Sequence, residues 1–239
     1  VARYYKSKGY LTERADKRDW RISVIIPARN EAKRIGKLLD SLTKQTYSPC
    51  EVIIVDDDSS DGTEEVVSSY GFRLLKVKPP SDWTGKCFAL YSGAKEATGD
   101  ILLFLDADTW LNENFLRYFK DYVDENKILT ILPYHEVIHF YEHFSMLFNL
   151  ISFIGVEVGT GSYNVKRGFF GPCIFFPRKI YTETGGHELV KSSLIEDMDL
   201  GLNLSKIGIE ILALPHNGLL KYRMYSEGLL RLIKGWVKN

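Results

Sequence analysis

The sequence has few cysteines, no excess of charge of either sign and no long uninterrupted apolar run. Its three cysteines, Cys50, Cys87 and Cys173, are too few and too widely spaced to predict a disulfide framework or a zinc site. Sparse cysteine of this kind is typical of a protein from a reducing, cytosolic compartment. Residues 1–20 are polar, basic and aromatic, so they do not resemble a signal peptide.

Positive and negative charges are balanced along the whole chain. Lysine and arginine together number 31, aspartate and glutamate also number 31, and the formal net charge is +0. Nucleic-acid-binding domains usually carry a basic excess, so this balance argues against a nucleic-acid partner. With 239 residues, of which 45% are hydrophobic, the chain has the size and composition of one large globular domain.

The longest aromatic and apolar stretch, residues 137–158, is interrupted by polar side chains. These include Glu142, Asn149 and Glu157. A membrane-spanning helix needs about 20 nearly uninterrupted apolar residues. The stretch is therefore predicted to be a buried helix or a helix lying at a membrane surface.

Short β-branched apolar runs alternate with helix-like segments through the first half of the chain. The predicted strands are residues 22–27, 51–55, 72–77, 101–105 and 128–133. The predicted helices are residues 31–45, a segment starting near 61, 85–97 and 113–125. This alternation predicts an α/β fold in which a parallel sheet carries helices on both faces.

The second half of the chain has a less regular pattern, but four elements are still indicated. They are a strand or loop at 168–177, a helix at 194–207, and strands at 209–214 and 219–225. A basic amphipathic helix is predicted at 227–238.

Three polar clusters follow predicted strands directly, at residues 27–31, 56–61 and 106–108. In open α/β sheets, ligands bind outside the carboxyl ends of the strands. The shared placement of these clusters predicts a binding site at that edge of the sheet.

Asp106 and Asp108 form the most informative of these clusters. Two carboxylates just past a buried strand can share one Mg²⁺ or Mn²⁺ ion, which takes its remaining ligands from diphosphate oxygens. Such a cation offsets the charge on a departing nucleoside diphosphate. An Asp-x-Asp sequence alone is often only a solvated turn, but its position after the fourth predicted strand favours the metal site.

Asp56 and Asp57 lie side by side at the end of the second predicted strand. Adjacent carboxylates repel unless something binds them, so they suit hydrogen-bond donors such as a base N–H or ribose hydroxyls. A calcium loop is excluded, because it needs glycine and glutamate where this chain has Asp61 and Val67. A capped turn before a helix accounts for Asp61 but poorly for the first two carboxylates.

Glu196 and Asp197 open the predicted helix at 194–207. One interpretation is that they complement the helix dipole in its first turn. The other is that one of them is a general base, which accepts a proton from an attacking group.

Taken in order, four segments resemble family 2 of inverting glycosyltransferases, which has the GT-A fold. They are residues 24–31, 56–63, 106–108 and 196–197. Residues 83–90, 186–187 and 235–239 are most similar to the branch that glycosylates carotenoid acids or hopanoid-type lipids. The resemblance implies transfer from a nucleotide sugar, expected to be a UDP-sugar, to a hydroxyl or carboxyl group of a lipid or polyprenoid acceptor.

The resemblance also implies a role for each matching residue. Asp197 would be the catalytic base, and Glu196 would orient it or the acceptor. Asp108 would ligate Mn²⁺ or Mg²⁺, and Asp106 would face the ribose or the metal. The residues expected to contact the nucleotide are Pro27, Ala28, Glu31, Asp57 and Lys86.

Other interpretations remain for several of these side chains. Lys86 could be only a charge at a helix start, and Arg29 only a surface cation. Trp83 is as readily a packing residue as a sugar platform. Cys173 is not expected to be catalytic, because single displacement needs no cysteine nucleophile and buried cysteine usually acts as a small apolar residue.

The resemblance implies one catalytic domain with two functional halves. Residues 22–134 would bind the nucleotide sugar and residues 135–225 the acceptor, with an extension at 1–21 and a tail helix at 226–239. The tail suits a membrane surface and could lead to an anchor beyond this sequence. We therefore expect a cytoplasmic enzyme at the inner face of the cell membrane.

Three other functional classes were compared with this interpretation. A sugar-nucleotide nucleotidyltransferase would carry a glycine-rich phosphate loop where this chain has residues 27–31. A non-catalytic nucleotide-sugar-binding module would not need both the Asp106/Asp108 pair and Asp197. A dinucleotide oxidoreductase is excluded because no Gly-x-Gly-x-x-Gly follows a predicted strand.

Overall fold

A computed structural model of the chain describes residues 18–142, 169–223 and Gly228. The strands in these residues are β1 Ile22–Ala28, β2 Glu51–Asp57, β3 Arg73–Val77, β4 Ile101–Leu105, β5 Thr109–Leu111, β6 Lys127–Leu132, β7 Tyr134–His135, β8 Cys173–Pro177, β9 Glu210–Pro215 and β10 Leu220–Tyr222. The α-helices are α1 Ile35–Thr43, α2 Thr63–Ser69, α3 Gly85–Glu96, α4 Phe115–Phe119, α5 Arg178–Thr184 and α6 Glu196–Lys206. Short 3₁₀ helices occur at Lys120–Tyr122, Phe140–Glu142 and Gly186–Val190.

A seven-stranded sheet in the order β3-β2-β1-β4-β8-β6-β9 forms the centre of the molecule. The pairs β3–β2, β2–β1, β1–β4 and β6–β9 are parallel. Only β8 runs against its neighbours, since it is antiparallel to both β4 and β6. The predicted α/β fold with a mostly parallel sheet is confirmed, and strands from both predicted halves of the chain pair in one sheet.

The sheet is buried on both faces, which explains the nearly continuous apolar runs of its central strands. On β1, Ile22, Val24 and Ile26 pack into one apolar cluster, while Ile25 packs into the other on the opposite face. Phe175 of β8 joins the first cluster. The helices therefore cover a rigid platform whose carboxyl edge carries the polar segments.

The strand β8 is the antiparallel member of this mostly parallel sheet. Its five residues are buried throughout, so the apolar run gives no sign of direction. Alternation of strands and helices identifies parallel neighbours joined by helical crossovers. The strand β8 instead enters between β4 and β6 from the second half of the chain, where that alternation is lost.

A second sheet of three short strands, in the order β5-β10-β7, was not predicted. It begins one residue after Asp108, with Thr109 paired to Tyr222 in an antiparallel register. The backbone N–H of Arg223 also donates to the carbonyl of Asp108 at 3.3 Å. This sheet ties the carboxylate turn to the far end of the described chain. Its strand β10 lies within the strand predicted at 219–225, whereas β5 and β7 are too short for periodicity to reveal.

Two predicted helices differ from the structure. The helix expected at 113–125 is only α4 followed by a 3₁₀ turn, and the chain becomes extended at Val123. Residues 137–142 hold a single 3₁₀ turn, because the Glu142 carboxylate accepts backbone N–H groups from Ile138 at 2.7 Å and His139 at 3.3 Å. The rest of the predicted 137–158 helix lies outside the described residues, as does all of the tail helix except Gly228.

The remaining predicted elements agree with the structure to within a few residues, as expected from fraying ends. The helix expected at 31–45 is the shorter α1, and the helix expected at 194–207 is α6. Within the described ranges, no helix is both long and apolar enough to cross a bilayer.

Candidate active site

A cleft of about 660 Å³ opens at the carboxyl ends of β1, β2 and β4. The predicted binding edge of the sheet is therefore where the cavity lies. The nine predicted site residues all line this cleft: Pro27, Ala28, Glu31, Asp57, Lys86, Asp106, Asp108, Glu196 and Asp197. Their convergence from distant segments supports one common site, although the role of each residue stays a prediction.

The loops after β1 and β2 are fastened to each other beside the cleft. The backbone N–H of Asn30 donates to Ser59 Oγ at 2.9 Å, and the Ser60 N–H donates to Asn30 Oδ1 at 2.9 Å. Asn30 and Asp58 adopt left-handed backbone conformations with φ of 56° and 57°, which asparagine and aspartate tolerate better than most residues. Each loop thereby fixes the shape of the other.

Asp61 and Thr63 add further hydrogen bonds between the two loops, including one to the backbone of Glu31. The Glu31 N–H donates to Thr63 Oγ1 at 2.9 Å, and the Thr63 hydroxyl donates to Asp61 Oδ1 at 2.5 Å. Asp61 Oδ2 also accepts from the Ala32 N–H at 3.1 Å. The Glu31 side chain in turn pairs with Arg34 at 2.6 Å. The polar residues after Asp57 thus hold the first loop in place.

Asp57 presents a buried carboxylate to the cleft and is only 4% exposed. Arg29 Nη1 lies 3.1 Å from its Oδ2, whereas its Oδ1 is buried with no hydrogen-bond partner among the described residues. A buried acceptor without a partner costs about 1–3 kcal/mol. The atom is therefore suited to accept a hydrogen bond from an N–H or O–H group of a ligand. Asp56 does not line the cleft, and its Oδ2 accepts from the Ser59 N–H.

Lys86 connects acidic groups from two other parts of the chain. It lies in the first turn of α3, and its Nζ is 3.0 Å from Asp106 Oδ1, 2.8 Å from Glu196 Oε1 and 3.3 Å from Asp197 Oδ2. Burial opposes the charged form of Lys86, but the three carboxylates outweigh it and raise the pKa of the lysine well above its usual value. Lys86 is therefore a fixed cation at the centre of the site.

Glu196 and Asp197 respond differently to this cation. Burial disfavours ionisation of Glu196, but the charge and hydrogen bond of Lys86 outweigh it and lower the pKa of Glu196. Burial raises the pKa of Asp197 to about 7, with Glu196 and Asp106 adding to the rise and Lys86 only partly offsetting it. A carboxylate with a pKa near neutrality suits a general base.

Asp106 and Asp108 form a carboxylate pair whose environment favours a cation. Burial raises the pKa of Asp108 to about 7, and the charge of Asp106 raises it further. Among the described residues, no group of three or more histidine, cysteine, aspartate or glutamate side chains is placed to hold a metal ion. Two carboxylates are nevertheless a sufficient protein contribution for Mg²⁺ or Mn²⁺ that binds diphosphate and water. The donor set therefore fits such an ion.

Three other residues considered in the sequence lie outside the cleft lining. Trp83 packs against Tyr91 with ring centroids 4.9 Å apart, so it is a packing residue. Cys173 is fully buried, and burial raises the pKa of its thiol well above the usual value, which leaves it unreactive. His187 is buried, with its Nδ1 2.9 Å from the Tyr181 hydroxyl.

Part of the cleft wall is apolar, and sequence patterns did not indicate it. Leu194 and Ile195 lie at the start of α6 and are 64% and 49% exposed, which is unusual for side chains next to a buried acidic pair. The other apolar residues of this wall are Leu132, Pro133, Phe169, Phe170 and Met198. They come from segments with no common periodicity, so only the fold brings them together.

Solved structures share this architecture. A mannosyltransferase from Pyrobaculum calidifontis, in complex with GDP-Man and Mn²⁺, superposes with a TM-score of 0.60 at 22% identity, covering 90% of this chain and 61% of its own. S. aureus TarS 1-349 in complex with UDP gives a TM-score of 0.61 at 21% identity, covering 85% of this chain and 60% of its own. At this identity the likeness establishes the fold, which is GT-A.

Sequence relatives extend the comparison. A 4,4'-diaponeurosporenoate glycosyltransferase of Staphylococcus haemolyticus is 37% identical over 231 residues, and that of Staphylococcus aureus strain USA300 is 35% identical over 232 residues. Each alignment covers 91% of this chain and 60% of the relative, so the chain spans about three fifths of the relatives' length. Residues 23–183 match the family described as Glycosyl transferase family 2. The chain belongs to glycosyl transferase family 2.

Proposed function

We propose that the chain transfers a sugar from a UDP-sugar to a hydroxyl or carboxyl group of an apolar, lipid-like acceptor, with inversion in a single displacement. The observation that carries the proposal is that three kinds of carboxylate line one cleft. They are the buried Asp57, which can accept a hydrogen bond from a base, the Asp106/Asp108 pair, which can hold a cation, and Asp197, which can accept a proton.

The donor half is assigned to residues 22–134. Asp57 Oδ1 would accept a hydrogen bond from the base, because it is buried and lacks a partner among the described side chains. Pro27, Ala28 and Glu31 line the same end of the cleft and would surround the nucleoside. The choice of uridine is supported by the S. aureus TarS structure that contains UDP.

Asp106 and Asp108 would hold a Mg²⁺ or Mn²⁺ ion. When bound, the ion supplies positive charge that stabilises the nucleoside diphosphate leaving group. Lys86 contributes a second positive charge from the protein itself, and its Nζ lies 3.0 Å from Asp106. The Mn²⁺ in the Pyrobaculum calidifontis mannosyltransferase complex supports a divalent cation.

Asp197 would act on the acceptor. For a hydroxyl acceptor, Asp197 takes the proton from the attacking oxygen, because its raised pKa makes it the stronger base of the two. Lys86 lowers the pKa of the neighbouring Glu196, which is therefore a weaker base. A carboxyl acceptor is already ionised at neutral pH, so it needs Asp197 only for orientation. The two acceptor classes therefore place different demands on the same residue.

An apolar acceptor is supported by the wall beside the base. Leu194 and Ile195 stand directly before Glu196 and are exposed at the cleft, where they could bury the chain of a lipid. The name of the staphylococcal relatives, which refers to diaponeurosporenoate, supports the same class. We therefore assign residues 135–225 to the acceptor and place the enzyme at the cytoplasmic face of the membrane.

The test is nucleotide release from UDP-, GDP- and dTDP-sugars, with and without a carotenoid acid or a polyprenol. Release from a UDP-sugar that rises with the apolar acceptor, together with an inverted glycosidic product, is expected. Release from no nucleotide sugar in the panel would overturn the proposal.

The metal assignment is tested in the same assay. EDTA should abolish release, Mn²⁺ or Mg²⁺ should restore it, and Asp108→Asn should remain inactive at saturating metal. Asp40→Asn is the matched control, because Asp40 is exposed on α1 and, in the part of the chain that the structure describes, forms an ion pair with Lys44 away from the cleft. Full activity of Asp108→Asn in chelator would contradict the assignment.

A further inference from the structure

The turn formed by residues 170–173 lies directly against Asp197. A methyl group added to Gly171 would come within 2.6 Å of Asp197 Cγ and overlap its carboxylate. Gly171 does not have a positive φ, so its backbone conformation is available to alanine. An alanine at this position would therefore force the Asp197 carboxylate to move.

This turn is anchored on two sides. Thr130 of β6 is fully buried; its Oγ1 accepts from the Phe170 N–H at 2.9 Å and lies 3.1 Å from the Phe170 carbonyl oxygen. The same hydroxyl lies 3.3 Å from the Cys173 carbonyl oxygen. The Pro172 carbonyl accepts from the Asp106 N–H at 3.2 Å. Because the turn is tied to both β6 and the end of β4, it cannot easily retreat from an added methyl group.

Two contacts therefore restrict the position of the Asp197 carboxylate. Lys86 attracts Oδ2 at 3.3 Å, while the anchored backbone of Gly171 limits how far the carboxylate can move. The turn also accepts the backbone hydrogen bond from Asp106. One anchored turn therefore contacts both the Asp197 side chain and the backbone of Asp106.

We propose that Gly171 is a positioning residue and that the turn at residues 170–173, held by Thr130, sets the location of the Asp197 carboxylate relative to the acceptor. This inference rests on the proposed role of Asp197 as the base. Reacting groups must be placed closely, and a displacement of about 1 Å can cost about 100-fold in rate. Gly171→Ala should therefore slow the chemical step without weakening nucleotide binding.

The experiment measures single-turnover rate with a hydroxyl acceptor, UDP affinity and melting temperature for Gly171→Ala, Thr130→Val and Thr130→Ser. A rate loss of about 10- to 100-fold is expected for Gly171→Ala, with the UDP Kd changed by less than about twofold. Thr130→Val should also slow the reaction, whereas Thr130→Ser keeps the hydroxyl and should restore it. Gly36→Ala is the matched control, because a methyl group there meets no atom closer than 3.7 Å.

A double variant separates positioning from general damage. Combined with Asp197→Asn, the Gly171→Ala change should cost nothing further, because the carboxylate that it displaces no longer accepts a proton. Losses that multiply, or a wild-type rate in Gly171→Ala, would overturn the inference while leaving the base assignment intact. If Gly171→Ala does not fold, the contrast between Thr130→Val and Thr130→Ser decides. A wild-type rate in Asp197→Asn alone would instead remove the proposed base, and the inference with it.

Discussion

Glu196 and Asp197 are adjacent in sequence, yet their environments shift the pKa values of their carboxyl groups in opposite directions. Lys86 lies closer to Glu196, at 2.8 Å, than to Asp197, at 3.3 Å, and it lowers the pKa of Glu196 against the effect of burial. Asp197 has its pKa raised to about 7 by burial. A carboxyl group whose pKa lies near neutrality can readily exchange a proton, which supports the proposed role of Asp197 as the base.

Asp197→Asn is predicted to slow the chemical step by about 100-fold or more with a hydroxyl acceptor, while UDP still binds. The wild-type rate should rise with pH up to about 7 and then level off, because the carboxylate form increases through the pKa of Asp197. Single-turnover rates of the wild type and of Asp197→Asn, measured at intervals of about half a pH unit between about pH 5 and about pH 9, check the rate loss and the pH profile. A UDP titration of the variant checks that the nucleotide still binds.

The matched control for this prediction is Asp199→Asn. Asp199 lies on the same helix, and its carboxylate accepts from the Ser193 hydroxyl at 2.6 Å. Its replacement should lower the melting temperature but keep the acid limb of the pH profile. An unchanged acid limb in Asp197→Asn would assign the titration to another group, with Asp108, whose pKa burial also raises to about 7, the next candidate.

At the scale of elements, the amino-terminal turn of α3 is packed closely against the end of β2. A methyl group on Gly85 would lie within 2.8 Å of Asp57 Cγ, so the helix can approach the carboxylate only because this residue is glycine. Thr84 caps the helix by accepting from the Cys87 N–H at 3.4 Å. The position of Lys86 follows from this approach, because it is the next residue along the helix.

Gly85→Ala is predicted to displace Asp57 and weaken UDP binding by about tenfold, which corresponds to about 1.4 kcal/mol. Calorimetric titration with UDP measures the effect. Gly36→Ala, which has room for its methyl group, should leave the affinity unchanged. Wild-type UDP affinity in Gly85→Ala would contradict the contact of Asp57 with the nucleotide.

The sequence predicted the elements that depend on long apolar runs and the residues that follow them. β1, β2 and β4 are continuous buried runs, and their polar ends converge as expected because parallel strands share one carboxyl edge. The direction of β8 was not predictable, since a run that is buried throughout has no directional signal. Thr130 was also not predictable, because a threonine inside a strand looks the same whether or not its hydroxyl anchors a distant turn.

At the scale of the whole molecule, one sheet unites the two predicted halves and places the acceptor side beside the donor side. Strands β8 and β9 come from the second half and hydrogen-bond to β4 and β6 of the first. The turn at residues 170–173 reaches the cleft because it directly precedes β8. The helix α6, which carries Glu196 and Asp197, and the Asp106/Asp108 pair are therefore fixed to a common frame.

Binding to a membrane surface stays a prediction from the sequence. The formal net charge is +0, so attraction to anionic lipid must come from local groups such as the basic residues at 231–238 rather than from the whole molecule. Flotation with anionic liposomes at low salt is expected to recover the protein. Neutral liposomes and high salt are the controls, since both remove the electrostatic attraction. No recovery with anionic liposomes at low salt would favour an acceptor delivered from solution.

The hydrogen bonds between the loops after β1 and β2 have a consequence for the entropy of binding. Asn30, Ser59 and Ser60 hold these loops together through protein groups alone. Ordering a loop on binding costs about 0.5–1.5 kcal/mol for each immobilised side chain. These loops are already ordered in the folded protein, so this entropy loss occurs on folding and not on binding. If the proposed nucleoside site is correct, the nucleoside would enter a pocket that is already shaped, and the entropy cost of ordering these loops would not reduce its affinity.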